Sequence, residues 1–325
     1  MLNVGIIGMG RMGKSHAGFF TTSPETRLVG FYDPNTTAVQ EGTEKFNVPA
    51  FASADELINS PDVEAVVIAS PTYCHATDVI KVMKTGKHLF CEKPLCRNWE
   101  EADAIRQAAE RSTTKLQIGF VRRFSPAQQL MVKLVKEGAL GAPRYCHIDL
   151  FTGKFRRMPG DWFANYTLCG GVVLDMLSHH LDLLSWCFGA PDTLYAQGFL
   201  EDPRLPEPVD YSSATITFAK GVICNIASGW NRFGRSANFM EIYGDKGYAS
   251  YNWGKNTVTF MPKDGETQEL EAPAVDNPYY EGFRHWLNAI QENRQPDVTL
   301  DDAFNALDLA LGILRSSEEG TVVEF

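Results

Sequence analysis

An apolar run over Asn3-Val4-Gly5-Ile6-Ile7 stops in Gly8-Met9-Gly10-Arg11-Met12-Gly13, three glycines spaced G-x-G-x-x-G. That spacing is how a buried strand turns tightly into a helix. Gly8 permits the turn, Gly10 lets a pyrophosphate approach bare backbone, and Gly13 lets the helix lie close against the strand. Cofactor contacts are therefore expected at Gly8, Gly10, Arg11, Met12 and Gly13, at a helix N-terminus whose unpaired N–H groups and dipole favour negative charge.

The same residues spell a competing motif. Gly8 through Ser15 reads G-M-G-R-M-G-K-S, a literal P-loop pattern, and both readings predict strand, loop and helix. A second apolar strand, Arg27 to Tyr32, ends in Asp33, where a dinucleotide fold keeps a carboxylate for the adenosine ribose hydroxyls. No later segment supplies the rest of an NTPase, so a redox dinucleotide ranks ahead of ATP, and of a glycine-rich turn in some other α/β domain. Asp33 should repel a 2′-phosphate, and Pro34-Asn35 offers no arginine to neutralise one, so NAD is expected over NADP.

The chain has 325 residues, enough for two domains, and carries a net charge of −10 without a long basic stripe, which argues against a nucleic-acid partner. No apolar run is long enough to cross a bilayer, and the first residues enter a strand without a charged leader, so a cytoplasmic protein is expected. The seven cysteines are scattered, with no C-x-x-C pair, and read as reduced. His179-His180 and Cys74-His75 lack further ligands at a recognised spacing, so no metal is expected.

Strand and helix patterns alternate through residue 118, including a short strand over Pro49-Ala50-Phe51. Residues 1–121 thus read as an α/β doubly wound parallel sheet of Rossmann type. Ligands bind such sheets beyond the carboxyl ends of the strands, so Gly8 to Gly13, Asp33, Ser70 to Thr72, Glu92 to Pro94 and the segment from Gly119 should share one crevice. Residues 122–325 read as an α+β domain with an open, mostly antiparallel sheet. Its strands are expected over Arg144 to Phe151, Thr193 to Leu200, Tyr211 to Phe218, Val222 to Trp230, Ala237 to Tyr243, Tyr248 to Trp253 and Thr257 to Met261. A late helix, 301–315, is a candidate to return onto the first domain.

Two places carry chemistry. Lys93 follows a strand whose end faces the expected nicotinamide site; its bland reading is a solvated cation. On the helix after Gly170-Gly171, Asp175, His179 and Asp182 fall at i, i+4 and i+7 and so share a face, with His180 turned about 100° away as packing or surface. The bland reading makes Asp182 and His179 hydrogen-bonded polar residues; the sharper one is a general base held by a carboxylate.

Together, Gly8-x-Gly10-x-x-Gly13, Glu92-Lys93-Pro94, Gly119-Phe120-Val121-Arg122-Arg123-Phe124 and Gly170-Gly171 followed by Asp175, His179 and Asp182 resemble the glucose-fructose oxidoreductase, inositol dehydrogenase and MocA family. The resemblance implies an NAD- or NADP-dependent oxidoreductase of sugars and cyclic polyols, with a C-terminal domain that mediates oligomerisation, hence a homodimer or homotetramer. It implies Lys93, Asp175 and His179 as catalytic residues, with Ser70, Thr72, His75 and Glu92 lining the nicotinamide side beside Lys93. It implies Arg122, and more loosely Trp162, for substrate. Cys74 and His180 depart from the common pattern and leave the substrate open. The alternatives are a non-catalytic NAD-binding sensor or scaffold, a Rossmann reductase of a non-sugar substrate, and the P-loop NTPase.

Overall fold

The computed structural model describes all residues except 154–160, 200–210, 232–235 and 253. It divides into two compact units, Met1–Gly119 with Gly282–Ala303, and Phe120–Glu281 with Phe304–Phe325. The boundary expected after 121 therefore lies at Gly119–Phe120. The returning segment is Gly282–Ala303, whereas 304–315 stays with the second unit.

The first unit runs β1 (Leu2–Ile7), α1 (Arg11–Thr22), β2 (Thr26–Tyr32), α2 (Thr36–Phe46), α3 (Ala54–Asn59), β3 (Ala65–Ile68), α4 (Thr72–Thr85), β4 (His88–Cys91), α5 (Trp99–Ala109) and β5 (Leu116–Ile118). Its strands pair in parallel in the order β2-β1-β3-β4-β5. β3 reads Ala-Val-Val-Ile and is buried throughout, as a strand covered by helices on both faces must be. Side-chain caps start the helices: Asn35 accepts from Thr37 N and Ala38 N at α2, Ser53 from Glu56 N at α3, and Asn98 from Glu101 N at α5. The strand expected at Pro49 to Phe51 is a correction. Only an isolated parallel bridge, Phe31 to Ala50, forms there, because Pro49 has no N–H for a ladder. Beside β2, that bridge occupies the outer position of a doubly wound sheet, and the order reverses between β1 and β3.

The second unit contains α6 (Pro126–Lys136), β6 (Pro143–Gly153), α7 (Tyr166–Cys169), a π-turn (Val173–Leu177), α8 (Ser178–Phe188), β7 (Pro191–Phe199), β8 (Tyr211–Phe218), β9 (Ile223–Asn231), β10 (Ala237–Gly244), β11 (Gly247–Asn252), β12 (Thr257–Pro262) and β13 (Gln268–Glu271). After α9 (Pro278–Gln291), which runs across the division, come α10 (Leu300–Glu319) and β14 (Val323–Glu324). The described strands form one sheet, β13-β12-β11-β10-β6-β9-β8-β7-β14, antiparallel except for the β6–β9 pair. The expected strand ends at Leu200 and Trp253 lie outside the described residues.

Alternation decides what each face does. Cys146, Ile148 and Leu150 of β6, Cys224 and Ile226 of β9, and Met240 and Ile242 of β10 are buried, while Tyr195, Ile223 and Tyr243 on the opposite pleats are exposed. α6 packs against β11, β12 and α8. Ser316 on α10 accepts from Ala196 N at 2.8 Å and donates to Thr321 O at 2.6 Å, pinning that helix to β7.

Candidate active site

In the first unit the glycine loop has the geometry its spacing requires. A Cβ on Gly13 would lie 1.9 Å from the Gly8 carbonyl oxygen, so only glycine lets α1 lie against β1. Gly10 caps α1, and a Cβ placed there would meet nothing within 4 Å, so backbone is open to a ligand at a helix N-terminus. Arg11 and Met12 open that helix. Asp33 Oδ2 accepts from Met9 N at 2.7 Å and Oδ1 from Asn35 N at 2.8 Å, which ties the end of β2 to the loop. A carboxylate has about four acceptor sites, so capacity remains for hydroxyls. Ser70 Oγ is buried without a hydrogen-bond partner among the described residues, and Ser70 N lies 2.6 Å from where a Gly8 Cβ would be. An open helix start, a spare acidic acceptor and an unsatisfied hydroxyl beside the loop fit a dinucleotide. Lys14, which the P-loop spelling would send to a phosphate, instead pairs with Glu41 of α2.

At the end of β4, Lys93 is half-buried and its peptide bond to Pro94 is cis. Its neighbours are held from behind. Glu92 Oε1 lies 2.7 Å from His16 Nε2, with both side chains buried. The His75 ring spans the Pro94 and Ser70 carbonyl oxygens, at 2.8 Å from Nδ1 and Nε2 respectively. A cationic ring would donate to both carbonyls, but burial opposes the charge and holds the His75 pKa below its usual value. Thr72, at the start of α4, is also buried. Glu92 and His75 are the residues expected to line the nicotinamide side. Their described polar contacts are Glu92 to His16, and His75 to the Pro94 and Ser70 carbonyls.

One turn beyond His75, Asp78 is 8% exposed and burial pushes its carboxyl up to about 6, Asp55 adding to the rise and Lys81 opposing it. A carboxyl raised on folding stabilises the fold below its unfolded pKa and loses that contribution as pH rises through the folded value. Asp78→Asn is therefore expected to stabilise the protein by about 1–3 kcal/mol near pH 8, with the gain vanishing near pH 4. Urea unfolding of both proteins at the two pH values checks it.

The second unit supplies the other candidates. Gly170 and Gly171 both have positive φ, and a Cβ on Gly170 would lie 2.1 Å from Leu174 Cδ1, so the reversal into the helix admits no side chain there. The helix opens with the π-turn, a feature frequent at functional sites. Between Gly171 and Leu184 only Asp175, Met176 and His179 escape burial. The Asp175–His179 pair is thus the polar edge of an otherwise buried segment, with the His179 ring 6.2 Å from that of Phe120, edge to face.

Asp182 does not share that edge, a correction to the i, i+4, i+7 face. Ideal spacing would leave it about 20° from Asp175, so its partner and not its spacing carries Asp182 to the buried side. There it is fully buried and takes a forked bond from Arg123: Nε to Oδ2 at 2.9 Å and Nη2 to Oδ1 at 2.7 Å. Arg123 lies over the Trp186 ring at 5.1 Å. His180 is packing: buried, with Nε2 3.2 Å from Asn238 Oδ1, its pKa lowered by burial and by Arg122. Arg122 is itself buried and its pKa is lowered to about 10 by burial, Tyr251 and Tyr279 opposing the shift; Gln128 accepts from Arg122 Nη1 at 2.7 Å and donates to the Arg122 carbonyl oxygen at 3.2 Å. Trp162 is half-buried in a short turn capped by Asp161, its ring 3.8 Å from that of Phe163.

Sequence reasoning gave no role to His16, Arg123 or Asn238. The signal for His16 was present, since it lies with Gly13, Ala17 and Phe20 on the buried stripe of α1, where an imidazole needs a partner.

A doubly wound sheet ending in an open glycine loop, with an acid at the end of β2, defines a dinucleotide-binding unit of the kind found in nicotinamide oxidoreductases. Residues 2–120 match the family described as "Oxidoreductase family, NAD-binding Rossmann fold", and residues 129–250 match the "GFO/IDH/MocA C-terminal domain". The chain belongs to this family, and it is an NAD-dependent oxidoreductase. It is 32% identical to an inositol 2-dehydrogenase of Rubrobacter xylanophilus over 75% of this chain and 69% of that one. It is 27% identical to a myo-inositol 2-dehydrogenase of Thermotoga maritima over 98% and 97% of the two chains. Its fold matches that of a levoglucosan dehydrogenase solved with NADH and L-sorbose, with a TM-score of 0.90 at 22% identity over 99% and 98% of the chains.

Proposed function

We propose that the protein reversibly oxidises a secondary alcohol of a sugar or cyclic polyol, with Lys93, Asp175 and His179 as catalytic residues. The observation that carries the reading is the partly exposed Asp175–His179 pair on an otherwise buried segment, in a chain whose inositol-oxidising relatives match it nearly end to end. NAD, when bound, takes up the hydride leaving the carbinol carbon. As that C–H bond breaks, His179 accepts the hydroxyl proton and the carbonyl forms, since an imidazole exchanges protons near neutral pH. Lys93 donates to the same oxygen as negative charge grows on it. Asp175 orients the imidazole or holds a neighbouring hydroxyl. Gly8, Gly10, Arg11, Met12 and Gly13 hold the pyrophosphate, Asp33 the ribose, and Ser70 and Thr72 the nicotinamide side. Arg122 and Trp162 contribute to substrate binding.

The exposed Tyr195, Ile223 and Tyr243 on the outer sheet face support a homodimer or homotetramer, which light scattering on the purified chain would read. Seven cysteines without a disulfide among them, and no helix of the described residues long and apolar enough to span a membrane, support a cytoplasmic location.

The test is NADH absorbance on myo-inositol, scyllo-inositol, levoglucosan, L-sorbose, aldoses, uronates and amino sugars, with NAD and with NADP. Turnover of at least one cyclitol or sugar, about tenfold or more faster with NAD, is expected from Asp33. Bound NADH with no turnover on any of these substrates would favour a sensor, and a preference for NADP would overturn the role given to Asp33.

A further inference from the structure

Lys93 is the first residue past the parallel ladder. Glu92 N still donates to Ile68 O at 2.9 Å, and Gly119 N to Cys91 O at 2.8 Å. Beyond that point side chains hold the residues on either side of Lys93, and both holders are buried histidines. His16 reaches Glu92 from α1, fixed between the edges of Phe90 and Phe283 at 6.1 and 4.9 Å. Glu92 is closed in on its other side, since a Cβ on Gly119 would lie 3.0 Å from its Oε2. His75, from α4, sets Nδ1 against the Pro94 carbonyl and Nε2 against the Ser70 carbonyl; a neutral ring protonated on Nδ1 donates to Pro94. Both helices begin at proposed cofactor contacts, α1 at Gly10 and α4 just after Ser70. The placement of Lys93 is thereby tied, through one imidazole on each side, to the two loops that would hold the dinucleotide.

We propose that His16 and His75 are positioning residues that brace Lys93, the first through the Glu92 carboxylate and the second through the Pro94 carbonyl. The inference rests on the reading of Lys93 as catalytic. Neither imidazole touches substrate; each acts by keeping the ammonium where the oxygen will be, and a displacement of about 1 Å at such a group costs about 100-fold in rate.

The pattern of bonds makes the test specific. Glutamine at 16 can keep a donor near the Nε2 position and phenylalanine cannot. At 75, asparagine keeps a donor near Nδ1, toward Pro94, while glutamine keeps only the arm toward Ser70. His16→Phe and His75→Gln are expected to lower kcat by about 10- to 100-fold, on the substrate turned over fastest, with KM and NADH affinity within about threefold. His16→Gln and His75→Asn should recover most of the loss. A second readout needs no substrate: trace acetylation of Lys93 by acetic anhydride, scored by peptide mass spectrometry against the exposed Lys220. The Phe and Gln variants should change the Lys93 rate by about threefold or more, and the conservative ones should restore it. Folded His16→Phe and His75→Gln with kcat and acetylation within about twofold of the parent would overturn the brace. Loss of stability alone, at unchanged kcat and acetylation, would do the same. Undiminished turnover in Lys93→Ala would instead remove the catalytic reading, leaving acetylation to report on the brace.

Discussion

Lys93→Ala and His179→Ala are each expected to lower kcat by about 100- to 10,000-fold while leaving NADH affinity within about threefold. In the proposed mechanism both groups act on one oxygen, the lysine by opposing its growing negative charge and the histidine by taking its proton. Neither interaction is strong with the neutral alcohol, so the loss belongs in kcat with little change in KM. The double variant should lose far less than the product of the single losses, because two groups acting on one transition state are not independent. Lys93→Arg should rescue poorly, since a planar guanidinium cannot replace a compact ammonium in a half-buried position fixed from both sides. Single-turnover kinetics with excess NAD check these expectations. Near-parent turnover in either alanine variant would take that residue out of the mechanism.

Much of the first unit was legible because its elements obey local rules. Three glycines, an acid at the end of β2 and buried β-branched runs specify strand, turn and helix within a few residues of one another. The outer strand failed on one residue, since Pro49 reads as part of an extended run but cannot donate to a neighbour. In the second unit the alternating strands were legible, whereas β13, with no buried position, and the two-residue β14 carry too little pattern to find.

The candidate site was legible where position singles a residue out. Lys93 stood out by its place at the end of a strand and His179 by its spacing from Asp175. The residues behind them did not, because a buried pair is defined by its partner, and the partners are far apart in sequence: His16 with Glu92, and Arg123 with Asp182. The face assigned to Asp175, His179 and Asp182 assumed that helical spacing alone sets orientation. At Asp182 an arginine 59 residues upstream decides it, as a buried charge must be paired.

That pair carries the largest expected effect on stability. Asp182→Ala should leave the Arg123 guanidinium, 7% exposed, without its carboxylate, at a cost of about 3–5 kcal/mol, since an unpaired buried charge recovers neither its water nor its partner. In a chain of this size that lowers the melting temperature by about 6–20 °C, read by calorimetry. Asp182→Asn keeps one acceptor and should lose less. The decisive comparison is Arg123→Met with Asp182→Leu, which removes both charges and fills the space with apolar volume: it should be markedly more stable than Asp182→Ala alone. A local consequence separates this pair from ordinary packing. Arg123 follows Arg122 in the turn Val121–Phe124, and Asp182 lies three residues past His179, so one forked bond fixes that turn to the helix of the proposed general base. The double variant should therefore regain stability without regaining kcat, because apolar side chains restore burial but not the direction of a two-pronged bond. Full recovery of both would reduce the pair to packing, and Asp182→Ala as stable as the parent would mean that Arg123 is neutralised by another group.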